Sequence, residues 1–195
     1  MAMLLRIGRL LRKVRPEGRR EELSDLIQRQ RNLEPSTTPT CRALAIDLLT
    51  LKAESYAATR ETASCGRCRH AEEGDDGYQG GFCCGASSAE VFSDGDLLAL
   101  QAAGVELAPL LEAPRFREPR PKLPTGADPC ALLTAEGCGL EPAHRPVICV
   151  AYACRGLRRE LGATRGAAFG AAAEALEEGW EAFLDLVDLD GSSPP

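Results

Sequence analysis

The clustering of cysteine is the feature that most restricts how this chain of 195 residues can fold. Eight of its nine cysteines fall into two groups, the first at Cys65, Cys68, Cys83 and Cys84, and the second at Cys130, Cys138, Cys149 and Cys154. Thiolates are soft ligands that suit zinc, copper(I) and iron–sulfur centres. Because ordinary core cysteines would be scattered, we expect the two groups to fold together around metal, with all eight cysteines as ligands.

The spacing within the first group favours more than one metal ion. Cys65-Gly-Arg-Cys68 has the separation at which one tight turn brings two thiolates to the same ion. The side chains of adjacent Cys83 and Cys84 diverge, so they do not easily occupy two corners of one tetrahedron. Two metal sites, or one cluster of several ions, would accommodate them. The alternative interpretation is a set of reduced structural thiols, some of them in a vicinal disulfide.

Charged residues and histidines flank the candidate ligands. His70 and His144 each lie near a cysteine, and we interpret them as surface groups or as hydrogen-bond partners of ligands rather than as ligands. Four arginines next to candidate ligands can offset the negative charge of thiolates: Arg67, Arg69, Arg145 and Arg155.

Charge is distributed unevenly along the chain. Residues 1–34 carry a net charge of +4 and the remainder carries −10, which gives −6 in total. Nucleic-acid binding by the main body is therefore not expected, since phosphate recognition needs a basic face. The basic N-terminal arm is a candidate surface for a membrane or for an acidic protein partner. A pair of helices packed on the domain is the simpler explanation, because amphipathic helices mostly face their own core.

Nothing in the sequence predicts a transmembrane segment. No apolar run approaches the roughly 20 residues that a spanning helix needs. Arginines interrupt the apolar residues of the N-terminus, which lacks the pattern of a secretory signal. We therefore expect a cytoplasmic protein, in which thiols stay reduced and available to metal.

Hydrophobic periodicity predicts a mainly α fold, with helices packed around irregular cysteine-rich metal-binding loops and little or no β-sheet. Helices are expected over 3–14, 19–33, 39–60 and 97–103, and again after Cys154. Glycines four residues apart, at 162, 166 and 170, suggest close approach of another helix or of the metal loop. We divide the chain into an N-terminal helical arm and helix over 1–62, a cysteine-cluster core over 63–155 and a C-terminal helical segment over 156–195, within one compact domain.

Capping residues mark the start of two of these helices. Thr38 is placed to cap a helix whose first residue is Pro39, and Cys41 follows on its apolar stripe as a small buried hydrophobe. Ser93 precedes Asp96 by three residues, as in a capping box, and Gly104 is a candidate C-terminal cap of the same helix.

The cysteine motifs occur in a characteristic order. Cys-x-x-Cys and Cys-Cys are followed by a helix near Asp96, then by Cys130-Ala-Leu-Leu, Gly137-Cys138-Gly-Leu140 and Arg145-Pro146-Val-Ile-Cys149. This order resembles the YkgJ-type cysteine-cluster family of zinc- or iron-chelating domains, which includes flagellin lysine methylases. The resemblance covers about residues 63–155 and implies a metal-binding core there. For the methylases it implies iron–sulfur chemistry.

Three functions are compatible with these observations. The first is a cytoplasmic metal-binding protein that holds zinc or an iron–sulfur cluster through the eight cysteines. The second is an iron–sulfur redox enzyme or electron carrier, including a methylase-like one, and the third is an interaction module with structural zinc. Thiolates serve zinc and iron alike. No nucleophile elbow, phosphate loop or dinucleotide fingerprint is present, so the sequence leaves enzymatic activity open.

Overall fold

The structure is a computed structural model that describes residues 19–35, 38–59, 91–118, 129–135, 137–152 and 155–189. Helices account for 74% of the described residues, and β-structure there is confined to one two-stranded sheet. The prediction of a mainly α fold is therefore confirmed. The predicted helix over 3–14 lies outside the described residues.

Six α-helices, two short strands and two 3-10 turns follow one another along the described chain. In order they are α1 (Arg19–Asn32), α2 (Pro39–Ala57), α3 (Asp94–Ala102), α4 (Leu107–Leu111), a 3-10 turn (Pro114–Phe116), β1 (Leu133–Thr134), β2 (Gly137–Cys138), a second 3-10 turn (Pro142–His144), α5 (Val147–Ala151) and α6 (Arg155–Leu189). Among the described helices, none combines the length and the apolarity that crossing a bilayer requires.

Helix α2 begins as its sequence predicts. The side chain of Thr38 accepts a hydrogen bond from the backbone N–H of Cys41 at 3.2 Å, and Pro39 occupies the first helical position. This cap satisfies one of the N–H groups that every helix start leaves without an intrahelical partner. Cys41 is fully buried among apolar side chains, as expected for a small hydrophobe.

Helix α3 is held at both ends by the predicted residues. Ser93 and Asp96 form a reciprocal capping box, in which each side chain accepts a hydrogen bond from the backbone N–H of the other residue. At the other end Gly104 takes a φ of +82°, a left-handed conformation that glycine adopts without steric cost.

Helix α6 is bent near its start and packs along α2. Gly162, with φ 61° and ψ −170°, separates its first turns from the long segment 163–189. Helical spacing predicts an apolar stripe in that segment at Leu176, Trp180, Phe183, Leu184 and Val187. All of these side chains are buried except Leu184, which is partly buried. The described residues leave open space around Gly166 and Gly170, so no described helix approaches there. Close contact occurs at Gly179 instead, where an added Cβ would lie 2.8 Å from Leu51 Cδ1.

Two large apolar clusters form the core. The first joins α1, α3 and α4 to the segment that contains Cys130, and it includes the buried Leu26 and Leu97. The second joins α2 and α6 and includes Leu48 and Phe183. Helix α5 contributes to both clusters, so it lies where the two halves of the core meet.

Candidate metal centre

Three of the eight candidate ligands lie in the described part of the chain. Cys130 is buried, and Cys138 and Cys149 are partly buried. All three contribute to the first apolar cluster. The other candidate ligands lie outside the described residues, as does His70: Cys65, Cys68, Cys83, Cys84 and Cys154. The three described cysteines of the second group therefore share one apolar cluster, but the described residues do not gather them into a group that could hold an ion.

Cys130 begins a turn whose backbone is held in place by α1. Its carbonyl accepts a hydrogen bond from the backbone N–H of Leu133 at 3.0 Å. Arg19, the first residue of α1, donates from Nε to the carbonyl of Ala131 and from Nη2 to that of Leu133, at 2.9 and 3.2 Å. Its guanidinium also lies over the ring of Phe116, 5.4 Å from the centroid. Helix α1 therefore helps to shape the backbone next to Cys130.

Cys138 is placed by a small antiparallel hairpin. In its register Leu133 pairs with Cys138 and Thr134 pairs with Gly137. Gly137 has a φ of +114°, which favours glycine, and its carbonyl accepts a hydrogen bond from Thr134 Oγ1 at 2.9 Å. The hairpin was not predicted, because strands of two residues carry no alternation to detect.

Cys149 lies on α5, a helix of five residues. Helices this short are not stable on their own, so tertiary contacts must hold it. Asp96 Oδ1 accepts a hydrogen bond from the backbone N–H of Val147 at 2.9 Å. Ser55 Oγ donates to the carbonyl of Val150 at 2.8 Å. Helices α2 and α3 thereby hold the backbone on both sides of Cys149.

Asp96 also pairs with a buried cation. Lys52 Nζ lies 3.2 Å from Asp96 Oδ1, and the two side chains are 0% and 4% exposed. Nζ lies 6.0 Å from the ring centroid of Trp180. A buried ammonium needs an opposite charge because desolvation strongly disfavours it alone. The pair ties α2 to α3 beside the start of α5.

Sequence reasoning missed this ion pair, although a signal was present. From the sequence, helical spacing predicts an apolar stripe on α2 at Cys41, Leu44, Leu48 and Leu51. The structure buries Cys41, Ala45, Leu48, Lys52 and Ser55, and leaves Leu44 and Leu51 partly buried. Helical spacing therefore places Lys52 and Ser55 on the same buried face as Leu48. A lysine at such a position indicates a buried charge that is paired with a residue elsewhere in the chain.

Arg145 brings positive charge to two of the cysteines. Its Nε donates to the carbonyl of Leu140 at 2.9 Å, and Nη2 lies 3.5 Å from the carbonyl oxygen of Cys138. The guanidinium lies over the ring of Tyr56, 4.3 Å from the centroid. Burial opposes the charge, yet the pKa of Arg145 is raised overall by the neighbouring Cys138, Tyr56 and Cys149 groups. A cation so placed favours the thiolate form of a neighbouring cysteine.

His144 is half-buried beside this group. Its Nδ1 is shielded from solvent and has no hydrogen-bond partner among the described residues. Burial lowers the pKa of His144, and the charge of Lys52 lowers it further, while Glu141 partly opposes both. The imidazole therefore favours its neutral form. The half-buried side chain is compatible with both forms of the prediction for His144, a surface group or a hydrogen-bond partner of a ligand.

The described residues do not complete a metal site by themselves. Among them, no three His, Cys, Asp or Glu side chains come together in a group that could hold an ion. The donor chemistry suits zinc or iron, because Cys130, Cys138 and Cys149 offer sulfur and Arg145 offers compensating charge. The site with all eight cysteines therefore remains a prediction, to which the undescribed cysteines would have to contribute.

Comparison with known proteins gives no relative for this chain. No family model, curated protein or solved structure matches it. The resemblance to the YkgJ-type family therefore rests on the order and spacing of the motifs from Cys65 to Cys149.

Proposed function

We propose that the protein binds metal, holding zinc or an iron–sulfur cluster through eight cysteines. The ligands are Cys65, Cys68, Cys83, Cys84, Cys130, Cys138, Cys149 and Cys154. What supports the proposal most is that Cys138 and Cys149, on separate elements, both raise the pKa of Arg145, whose Nη2 lies 3.5 Å from the carbonyl oxygen of Cys138. Positive charge that acts on two thiols suits the binding of a metal thiolate centre.

The cellular setting follows from the same chemistry. Thiols remain reduced in the cytoplasm, where a protein with eight thiolate ligands can acquire its metal. We therefore propose a cytoplasmic location. The basic N-terminal arm is proposed as a surface for a protein partner, because it has the opposite sign to the rest of the chain.

Metal analysis of the full chain, purified without air, tests the proposal. We expect metal in every preparation: about two zinc ions per chain in a colourless protein, or iron with labile sulfide in a brown one. The first result would exclude the iron–sulfur redox enzyme, and the second would exclude the module with structural zinc. A folded protein without metal would refute the proposal.

Single substitutions make the test specific to the cysteine groups. Cys149→Ser should lower the metal content, because it replaces a soft ligand with a weak one. Cys41→Ala is the matched control, since Cys41 is buried in the second apolar cluster and is not a proposed ligand. We expect Cys41→Ala to keep the full metal content. Equal loss of metal in both variants would show that the effect comes from the fold.

A further inference from the structure

We propose that Ser55 and Asp96 are positioning residues that fix the Cys149 sulfur for metal binding. Neither is a ligand in the proposed site, and both act through the backbone of α5. The inference rests on the proposed metal-binding function. The two residues hold Cys149 in place before the ion binds. This anchoring of Cys149 can be measured in metal-free protein as well.

Helix α5 depends on its neighbours. Five residues cannot maintain a helix in water, because the cost of nucleation exceeds the gain from so few hydrogen bonds. The two side-chain bonds described above reach the helix at Val147 and at Val150. Cys149 lies between these points, so its Cα position is set by both bonds.

Ser55 and Asp96, the two anchors of α5, are both buried. Ser55 is fully buried on α2, a helix of 19 residues. Asp96 is 3% exposed, and its second carboxylate oxygen accepts hydrogen bonds from Ser93 N–H and Oγ at 3.2 and 2.8 Å. Lys52 Nζ donates a hydrogen bond to the other carboxylate oxygen, Asp96 Oδ1. Asp96 therefore cannot move without breaking other hydrogen bonds, and complete burial restricts the side chain of Ser55.

The fixed position of Cys149 affects its affinity for metal. Ligands held in the correct geometry before binding lose less conformational entropy when the ion arrives. Removing a group that orients a ligand typically lowers metal affinity by about 10- to 100-fold. Loss of an anchor should therefore weaken binding and change the geometry of the bound ion, even though all sulfur ligands remain.

The first experiment measures the anchoring without metal. In metal-free full-length Ser55→Ala, the rate at which iodoacetamide alkylates Cys149 should rise by about tenfold, because one buried hydrogen bond that resists local opening is lost. Thr50→Ala is the matched control, since Thr50 Oγ1 donates to a backbone carbonyl on the exposed face of the same helix. It should leave the rate unchanged, and in both variants the labelling of Cys41 should stay at the wild-type level.

The second experiment uses Co²⁺ as a spectroscopic substitute in the same variants. We expect Ser55→Ala to bind Co²⁺ about tenfold more weakly than wild type, with shifted visible bands, and Thr50→Ala to match wild type. Unchanged Cys149 labelling together with an unchanged spectrum would overturn the inference. So would a parallel rise in Cys149 and Cys41 labelling, which would indicate global loosening. If wild type carries no iron and binds no Co²⁺ or zinc while Cys149 labelling still rises, the proposed function fails and the anchoring is upheld.

Discussion

At the residue scale, the carboxylate of Asp96 connects three separate parts of the chain. It pairs with Lys52 on α2, caps α3 through Ser93 and accepts the first N–H of α5. Asp94, two residues earlier, forms an ion pair with Arg29 at 2.7 Å, but its side chain is 65% exposed. The two carboxylates therefore have similar partners in very different environments.

Asparagine substitutions at these two positions should have unequal effects. Asp96→Asn leaves the ammonium of Lys52 buried without its counter-charge, which should lower the free energy of unfolding by about 3–5 kcal/mol. Asp94→Asn removes a solvent-screened pair and should cost less than about 1 kcal/mol. Urea unfolding followed by circular dichroism measures both changes. Equal costs in the two variants would contradict the assignment of Lys52 and Asp96 as a buried pair.

The titration of His144 should make the free energy of unfolding depend on pH. Its folded pKa lies below the ordinary value of 6.5, mainly because burial disfavours the charged imidazolium. Between the folded and unfolded pKa values the unfolded chain binds more protons, so the free energy of unfolding rises with pH in that window. The contribution is complete above about pH 6.5 and is lost as the pH falls through the folded pKa.

Unfolding of wild type and His144→Gln at about pH 7.5 and 5.5 isolates this contribution. Wild type should lose more stability between the two pH values than the variant does, because glutamine does not titrate. The difference between the two losses cancels the effect of the other titrating groups. An equal loss in both proteins would show that His144 has the same pKa in the folded and unfolded states.

At the element scale, the contact between the start of α3 and α6 depends on a glycine. A Cβ built on Gly95 would lie 2.8 Å from Trp180 Cη2 and 2.9 Å from Leu184 Cδ2. The indole is rigid and buried, so it cannot easily move away. Around Gly170, on the exposed side of α6, the described residues leave open space.

Alanine at these two glycines should therefore change stability in opposite directions. Gly95→Ala should lower the free energy of unfolding by about 1–3 kcal/mol, because it overpacks the contact with Trp180. Gly170→Ala should raise it by about 0.4–1 kcal/mol, because alanine restricts the unfolded chain and favours helix. Thermal unfolding of the two variants beside wild type measures both changes. Stabilisation by Gly95→Ala would contradict the described packing of α3 against α6.

The helices were predictable to the extent that local signals define them. Thr38, Pro39 and Ser93 act on neighbouring backbone groups, so their effects can be read from adjacent residues. The stripe of α6 repeats over many turns, which makes its burial evident from spacing alone. Helix α5 and the hairpin are too short to carry such a pattern.

The candidate site was predictable as a set of residue types but not as an arrangement. Cysteine clustering gave the candidate ligands, and the position of Arg145, four residues before Cys149, suggested that it would offset charge. The pairing of Lys52 with Asp96 spans 44 residues and depends on how α2 meets α3. Only tertiary structure determines such a contact, because neither residue has a distinctive neighbour in sequence.

At the scale of the whole molecule, α5 lies between the two halves of the core. Ile148 and Cys149 pack against the first cluster, while Val147 and Val150 belong to the second. Metal bound near α5 would therefore tie the cysteine segments to both halves. In a small protein with few aromatic residues, 5% of this chain, such a crosslink adds stability that apolar packing alone does not supply.

X-ray absorption at the metal edge of the full chain, purified without air, tests the central claim most directly. If cysteines from both groups bind the metal, the first coordination shell should contain sulfur alone, four atoms per metal, at about 2.3 Å for zinc. Substitution of Cys65 or Cys149 by serine should reduce that sulfur count or remove the metal. A first shell of oxygen or nitrogen, or a folded chain that carries no metal, would contradict the claim.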